Sequence, residues 1–129
     1  MADLSNFLET KIYDHVVRNV AYTSPVTVYL ALFTAVTDAE AGTGTEVAVA
    51  GYARQAVAFG ASTDGAGSNS AIETFGPLSG SGTVTHAALF DALTVGNALT
   101  VIKPLAAPKT WAANDSIEFA INDVDFQLS

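Results

Sequence analysis

The sequence of 129 residues contains no cysteine, so disulfide bonds and thiolate metal sites are excluded. Charged residues make up only 14% of the chain, whereas roughly 25% is usual in soluble domains. No stretch approaches the roughly 18 uninterrupted apolar residues of a membrane-spanning helix. The start, Met1-Ala2-Asp3, lacks the basic segment and apolar run of a signal peptide. We therefore expect a protein that is made in the cytoplasm and has no membrane partner.

Basic residues are also scarce, because five Lys and Arg stand against 13 Asp and Glu, for a formal net charge of −8. Binding to a phosphate backbone needs clustered cations, and these five are scattered along the chain. The sequence therefore predicts no nucleic-acid partner. Half of the residues are hydrophobic, which is enough for a core. A weakly charged exterior of small residues favours a protein that packs against copies of itself or against other proteins.

Motifs for catalysis are missing as well, since the sequence has no Walker loop, no GxSxG and no HExxH. His15 and His86 have no partner at the spacing of metal ligands, and we interpret both as structural. A glycosidase would need a sugar groove lined with aromatic residues, and Trp111 is the single tryptophan. We predict that the protein is not an enzyme and has no catalytic residue and no bound cofactor.

Two groups of acidic residues give a weak signal for a hard cation such as calcium. Asp123 and Asp125 alternate near the C-terminus, and three acidic residues share one segment at Asp38, Glu40 and Glu46. Neither group has the ordered ligand spacing of a known calcium loop. We therefore predict solvated carboxylates and no metal site.

Apolar residues near the N-terminus recur at steps of three and four, which predicts a helix from about Ser5 to Asn19. Either Asp3 or Ser5 can cap its start. Two interpretations remain open: the apolar stripe covers one end of the sandwich, or it docks on another protein. The stripe consists of Leu4, Phe7, Leu8, Ile12, Val16 and Val20.

After Pro25 the apolar period changes to two, and about seven short strands follow, separated by Gly, Ser, Asn and Pro turns. This spacing is typical of an antiparallel sandwich or jelly roll. The first strand is apolar on both faces, which predicts a central strand covered on two sides. The predicted strands are residues 26–33, Tyr52–Phe59, Ala71–Phe75, Thr83–Asp91, Leu99–Lys103, Ser116–Ile121 and Val124–Leu128.

We therefore predict one domain over residues 1–129, with the helix at about 5–19 and a mainly antiparallel β-sandwich or jelly-roll-like fold at about 25–128. The segments Asp38–Glu46 and Gly60–Asn69 are rich in glycine and are predicted to be flexible loops. Most of the core is expected to come from Val28, Leu30, Leu32, Val57, Phe59, Leu89, Phe90, Ile117 and Phe119.

Three segments together resemble a family of small virion structural proteins of tailed bacteriophages: LETKIYDHVVRNVAYTSPVTVYLALFTA at 8–35, GYARQAVAF at 51–59 and GTVTHAALFDA at 82–92. The resemblance covers most of the chain. It implies a non-enzymatic protein of the virion, either a head decoration or cement protein or a tail-fibre-like protein.

Of these roles, the sequence favours capsid decoration, in which the domain contacts the major capsid protein and copies of itself as a homo-oligomer. The alternative is a tail-associated module, fibre-like or receptor-binding. A glycan-binding module would expose aromatic residues, and the two predicted loops contain none. The candidate contact surfaces are the helix and the segments Asp38–Glu46 and Gly60–Asn69.

Overall fold

The computed structural model of the protein describes residues 3–128. Within that range there is one helix, α1, and nine strands, all paired antiparallel. The predicted fold class, mainly β and antiparallel with one N-terminal helix, is confirmed. The bounds are α1 Asn6–Val17, β1 Val28–Asp38, β2 Thr43–Glu46, β3 Gln55–Val57, β4 Ala66–Ser68, β5 Glu73–Leu78, β6 Gly82–Phe90, β7 Lys103–Trp111, β8 Asp115–Phe119 and β9 Asp125–Gln127.

Strand β1 is the centre of the largest sheet. One of its edges pairs with β6, and the other pairs with β3 near its start and with β2 near its end. Strand β7 pairs with the far side of β6. Leu30 and Leu32 lie in one apolar cluster, and Ala31 and Phe33 lie in another. The prediction of a central strand covered on both faces is therefore confirmed.

The larger apolar cluster joins this sheet to two further strand pairs, β5–β8 and β4–β9, in a sandwich-like arrangement. Phe75 is fully buried at its centre, where it stacks on Tyr52 and meets Phe119 edge-on, with both centroid distances at 6.0 Å. Of the nine predicted core residues, seven are buried. Val28 and Phe59 are only partly buried and pack at the margin. Buried residues that were not predicted include Phe75, Leu78, Val84 and Trp111.

Both segments predicted to be flexible loops contain paired strands, so these two predictions are wrong in part. Asp38–Glu46 is the turn and second strand of the β1–β2 hairpin, with the Asp38 carboxylate accepting a hydrogen bond from the backbone N–H of Ala41 at 3.1 Å. Within Gly60–Asn69, strand β4 follows a tight turn at Asp64 and Gly65, which both have positive φ. The sequence did not predict these strands, because they are only four and three residues long, lie next to turn residues and have little apolar pattern.

Two other strand predictions, for β7 and β5, were wrong because proline was expected to end each strand. The predicted strand Leu99–Lys103 was expected to end at Pro104, but β7 begins at Lys103 and continues through Pro104 and Pro108. An edge strand with a bulge tolerates proline, because its outer N–H groups need no ladder partner. The β6–β7 register shifts between Val84 and His86, as such a bulge requires.

Two strand ends also differ from the prediction. Strand β5 runs past its expected end at Gly76-Pro77, through a cis peptide bond, as far as Leu78. The predicted strand Tyr52–Phe59 is reduced to the three residues of β3. Phe59 forms an isolated bridge with Asn69 and does not pair with β1.

Candidate functional site: an anchored N-terminal arm

The residues before α1 are fixed between two distant parts of the chain. The backbone N–H of Asp3 donates to the carbonyl of Gln127 at 3.1 Å, and the N–H of Val101 donates to the carbonyl of Asp3 at 2.9 Å. The Asp3 carboxylate also accepts from Lys103 Nζ at 2.9 Å and from the Gln127 N–H at 3.1 Å. Asp3 is buried, so the helix starts from a base that is tied to β9 and to the segment entering β7.

Ser5 caps the helix and also fixes it to the sandwich. Its Oγ accepts a hydrogen bond from the N–H of Leu8 at 3.2 Å, the usual interaction of an N-cap. The same hydroxyl donates to the carbonyl of Ala98, and the Ser5 N–H donates to Leu99 at 3.1 Å. The predicted helix is confirmed, with Ser5 as the cap, and its first turn has a defined position on the body of the protein.

The helix then leaves the body, because none of its residues is buried. Phe7 and Leu8, in the first turn, are partly buried against the larger apolar cluster. Further along, Tyr13, Val16 and Val17 are 63%, 72% and 62% exposed. The spacing i, i+3, i+4 places these three side chains on one face of the helix. We call Tyr13, Val16, Val17 and the nearby Val20, which is 45% exposed, the exposed stripe.

The predicted apolar stripe is therefore divided between two environments. Its N-terminal part packs on the sandwich, as the first interpretation expected. Val16 and Val20 face solvent, as the docking interpretation expected. Tyr13 and Val17 were missed as part of a contact surface, although their helical spacing from Val16 is visible in the sequence.

Residues 18–27 return from the helix to β1, and together with α1 they form what we call the arm, residues 6–27. The helix ends at Val17, and Asn19 adopts a positive φ of 56°, a conformation common just after helix C-termini. The N–H of Val20 donates to the Asp14 carbonyl at 3.0 Å. Tyr22 packs edge-on against Phe7, with centroids 6.5 Å apart. Burial and, secondarily, the charge of Asp91 raise the pKa of the Tyr22 hydroxyl.

The arm differs in net charge from the rest of the protein. Its charged residues are Glu9, Lys11, Asp14 and Arg18, which sum to zero. The other 11 acidic and three basic residues lie outside residues 6–27, so the rest of the chain carries the whole formal charge of −8. The arm is thus a neutral, partly apolar projection from an acidic body.

Two of the acidic residues that suggested calcium, Glu46 and Asp123, hold neighbouring groups of the fold. Glu46 binds the guanidinium of Arg54, with both N–O distances at 2.9 Å. Asp123 Oδ2 accepts from the N–H of Ala120 at 3.1 Å, across the turn between β8 and β9. Across residues 3–128, no three His, Asp or Glu side chains are grouped so that they could hold a metal ion.

The two histidines lie on different elements, β6 and α1. His86 Nδ1 is 2.8 Å from Thr85 Oγ1, which in turn donates to the Thr34 carbonyl at 3.2 Å. His15 is exposed and lies 3.3 Å from the carbonyl of Val20. Each histidine thus contacts a neighbour in its own element or in the adjoining segment.

A groove of about 320 Å³ lies between β6–β7 and the turn that precedes β9. Its polar lining is already engaged within the protein: Thr100 Oγ1 accepts from the N–H of Leu89 at 3.0 Å, and Lys103 pairs with Asp3. Asp123, also in the lining, holds its own turn. This groove offers a ligand few unengaged polar groups, and we assign it none.

Comparison with known families matches residues 3–127 to the model described as Podophage GP4 fiber I protein gp80. The chain belongs to this family. No curated protein shows a significant match. The resemblance to virion structural proteins is confirmed, and the chain is a structural protein of a tailed phage.

The match to the gp80 family begins at the anchor residue Asp3 and ends at Gln127, so it includes the arm and all nine strands. The anchor, the helix and the sandwich therefore belong to one family pattern. In the part of this gp80-family chain that the structure describes, no helix has the length and apolarity needed to cross a membrane.

Proposed function

We propose that the chain is a structural component of a phage tail fibre, which works through protein–protein contacts and not through catalysis. The observation that carries this proposal is the match of residues 3–127 to a family described as a podophage fiber protein. It supports the tail-fibre alternative over capsid decoration, the role that composition alone favours. The partners in this proposal are copies of the chain and neighbouring tail proteins in place of the major capsid protein.

The edges of the large sheet support assembly through the arm rather than through strand addition. Strand β7 forms one edge and contains Pro104 and Pro108. Prolines and bulges on an edge strand prevent pairing with another chain. The opposite edge is divided between the short strands β2 and β3. The arm, by contrast, exposes apolar side chains from a fixed base.

Several titratable side chains that could take part in catalysis or bind a ligand are engaged within the protein, which supports a structural role. Glu46, Asp123 and His86 each hold a nearby backbone group or side chain. Tyr52 donates to Glu46 at 2.6 Å and accepts from the N–H of Leu32 at 3.1 Å. Burial, followed by the hydrogen bond to Glu46, raises the pKa of the Tyr52 hydroxyl far above its ordinary value, so it stays protonated. These groups maintain the fold that carries the arm.

The proposal is tested by removing the gene from the phage and imaging the resulting particles by negative-stain electron microscopy. We expect filled heads of normal shape, tails that lack fibres and reduced adsorption to the host, all restored when the chain is supplied from a plasmid. A normal set of fibres on particles whose heads break on heating would instead support capsid decoration. An Ile72→Glu chain is a suitable complementation control, because Ile72 is exposed and lies outside the arm.

A further inference from the structure

The exposed stripe is an apolar surface that residues 3–128 leave uncovered. We propose that it binds the same stripe on a second copy of this chain, so that the arm is a self-association surface. This inference depends on the geometry and charge of the arm, and it holds wherever in the virion the chain is located.

The charge distribution indicates a second copy as the occupant. Two bodies that each carry a formal charge of −8 repel one another, whereas residues 6–27 have no net charge. A surface that meets its own copy must also be complementary to itself. The arm has no net charge to oppose such a contact, because Glu9 and Asp14 balance Lys11 and Arg18.

The size of the stripe is consistent with such a contact. The four residues of the exposed stripe, Tyr13, Val16, Val17 and Val20, are 45–72% exposed. Since a full aromatic side chain buries about 150–250 Å², the stripe presents roughly 400 Å² of side-chain surface. Two facing stripes would remove about 800 Å² from water, and flanking polar residues such as Glu9 and Thr10 bring the total near the roughly 1,000 Å² of a specific interface.

The position of the arm also favours self-association. Hydrogen bonds of Asp3 and Ser5 fix its base, so the first turn needs no ordering on binding. The return segment holds the other end, through the Val20–Asp14 hydrogen bond and the packing of Tyr22 on Phe7. A surface that is already ordered loses less conformational entropy when a partner binds.

The test is sedimentation velocity of the purified full-length chain over a dilution series. We expect wild-type protein to form an oligomer that dissociates on dilution. The double variant Val16→Glu/Val17→Glu should raise the dissociation constant by more than about tenfold, because it buries unpaired charge in the contact. Glutamate has a higher helix propensity than valine, so α1 should persist, as far-UV circular dichroism will check.

Two comparisons keep the test specific. The double variant Ile72→Glu/Ile121→Glu places the same two charges at apolar residues that are 55% and 51% exposed outside the arm, and it should associate like wild type. Raising the salt concentration should strengthen association, because salt screens the repulsion between acidic bodies. A monomeric wild-type chain at low and high salt would overturn the proposal, as would equal association of the double variant.

A second measurement can detect a weaker association, because a disulfide bond traps copies that meet only transiently. The chain has no cysteine, so Val16→Cys introduces a single thiol. Under mild oxidation, Val16→Cys should form a disulfide-linked dimer much faster than Ile72→Cys, since only the former is held next to its copy. Equal rates of cross-linking for the two variants would contradict self-association through the stripe.

Discussion

Arg54 and Glu46 form a bidentate ion pair inside the protein, with Nε–Oε2 and Nη2–Oε1 distances of 2.9 Å. Arg54 is 8% exposed, and its remaining nitrogen, Nη1, donates to the carbonyls of Ala92 and Val95 at 2.9 and 2.8 Å. Its guanidinium also lies 4.0 Å from the centroid of the Phe90 ring. One side chain therefore joins β2, the segment before β3 and the turn after β6.

Replacing Arg54 with alanine should lower the free energy of unfolding by about 3 kcal/mol, because it leaves a partly buried carboxylate without its cationic partner. Two backbone carbonyls lose their donor in the same change. Arg54→Lys should cost less, since it keeps the charge but not the planar fork. Urea unfolding followed by tryptophan fluorescence measures both variants.

The matched control is Arg18→Ala, which removes an ion pair with the same 2.9 Å distance at an exposed position on the helix. We expect it to change the free energy of unfolding by no more than about 0.5 kcal/mol. If the two alanine variants lose equal stability, the Arg54 network is not the structural element described above.

Asn69 is a fully buried side chain that joins β4 to the turn between β8 and β9. Its amide donates to the carbonyls of Ala71 and Ala120 at 2.7 and 2.9 Å, and its oxygen accepts from the N–H of Val124 at 2.9 Å. Asn69→Ala leaves these groups buried without a partner and should cost roughly 2–4 kcal/mol. Chemical denaturation provides the measurement.

Ser68→Ala serves as the comparison for Asn69, because it removes an exposed hydrogen bond, 2.9 Å long, to the side chain of Asn122 in the same region. Its effect on stability should stay within about 0.5 kcal/mol. A similarly small loss for Asn69→Ala would show that the turn does not depend on the buried amide.

Glu73 begins β5 and is largely buried, and this burial raises the pKa of its carboxyl group above the ordinary value. The charged form is therefore disfavoured in the folded state. Since the folded state holds its proton more tightly than the unfolded state, the contribution of Glu73 to stability falls as the pH rises through the folded pKa. The penalty is complete above the folded pKa and disappears below the unfolded pKa.

We accordingly expect Glu73→Gln to be more stable than wild type at neutral pH, with a difference that shrinks as the pH falls toward the unfolded value. Thermal unfolding at a series of pH values will show this trend. Glu118→Gln is the control, because it makes the same change at an exposed glutamate on the paired strand β8. A Glu73→Gln variant that is less stable than wild type at neutral pH would contradict the role of burial.

Long periodic segments made much of the fold predictable from sequence. The helix and β6 were located to within two residues and β1 to within five, because Ser5 provides a cap and Leu30 and Leu89 lie in clear apolar patterns. Strands β2 and β4 were missed, because pairing with β1 and β9 creates them and their own residues are small and polar. Strand β7 was misplaced because Pro104 usually ends a strand, whereas an edge strand with a bulge accommodates it.

The arm could be predicted as a helix but not as a projection. Whether Val16 faces the sandwich or solvent depends on the hydrogen bonds of Asp3 and Ser5 to Val101 and Ala98, which are distant in sequence. The network around Arg54 was missed for the same reason, since its acceptors at Ala92 and Val95 are backbone carbonyls without a sequence signature.

The most direct test of the proposed role is the position of the chain in the intact virion. A cryo-electron microscopy map of the particle should contain density for the sandwich and its projecting helix at the tail fibres, and a gold-labelled antibody against the chain should mark the tail. Density or label on the outer surface of the head, with none at the tail, would contradict the assignment to the fibre.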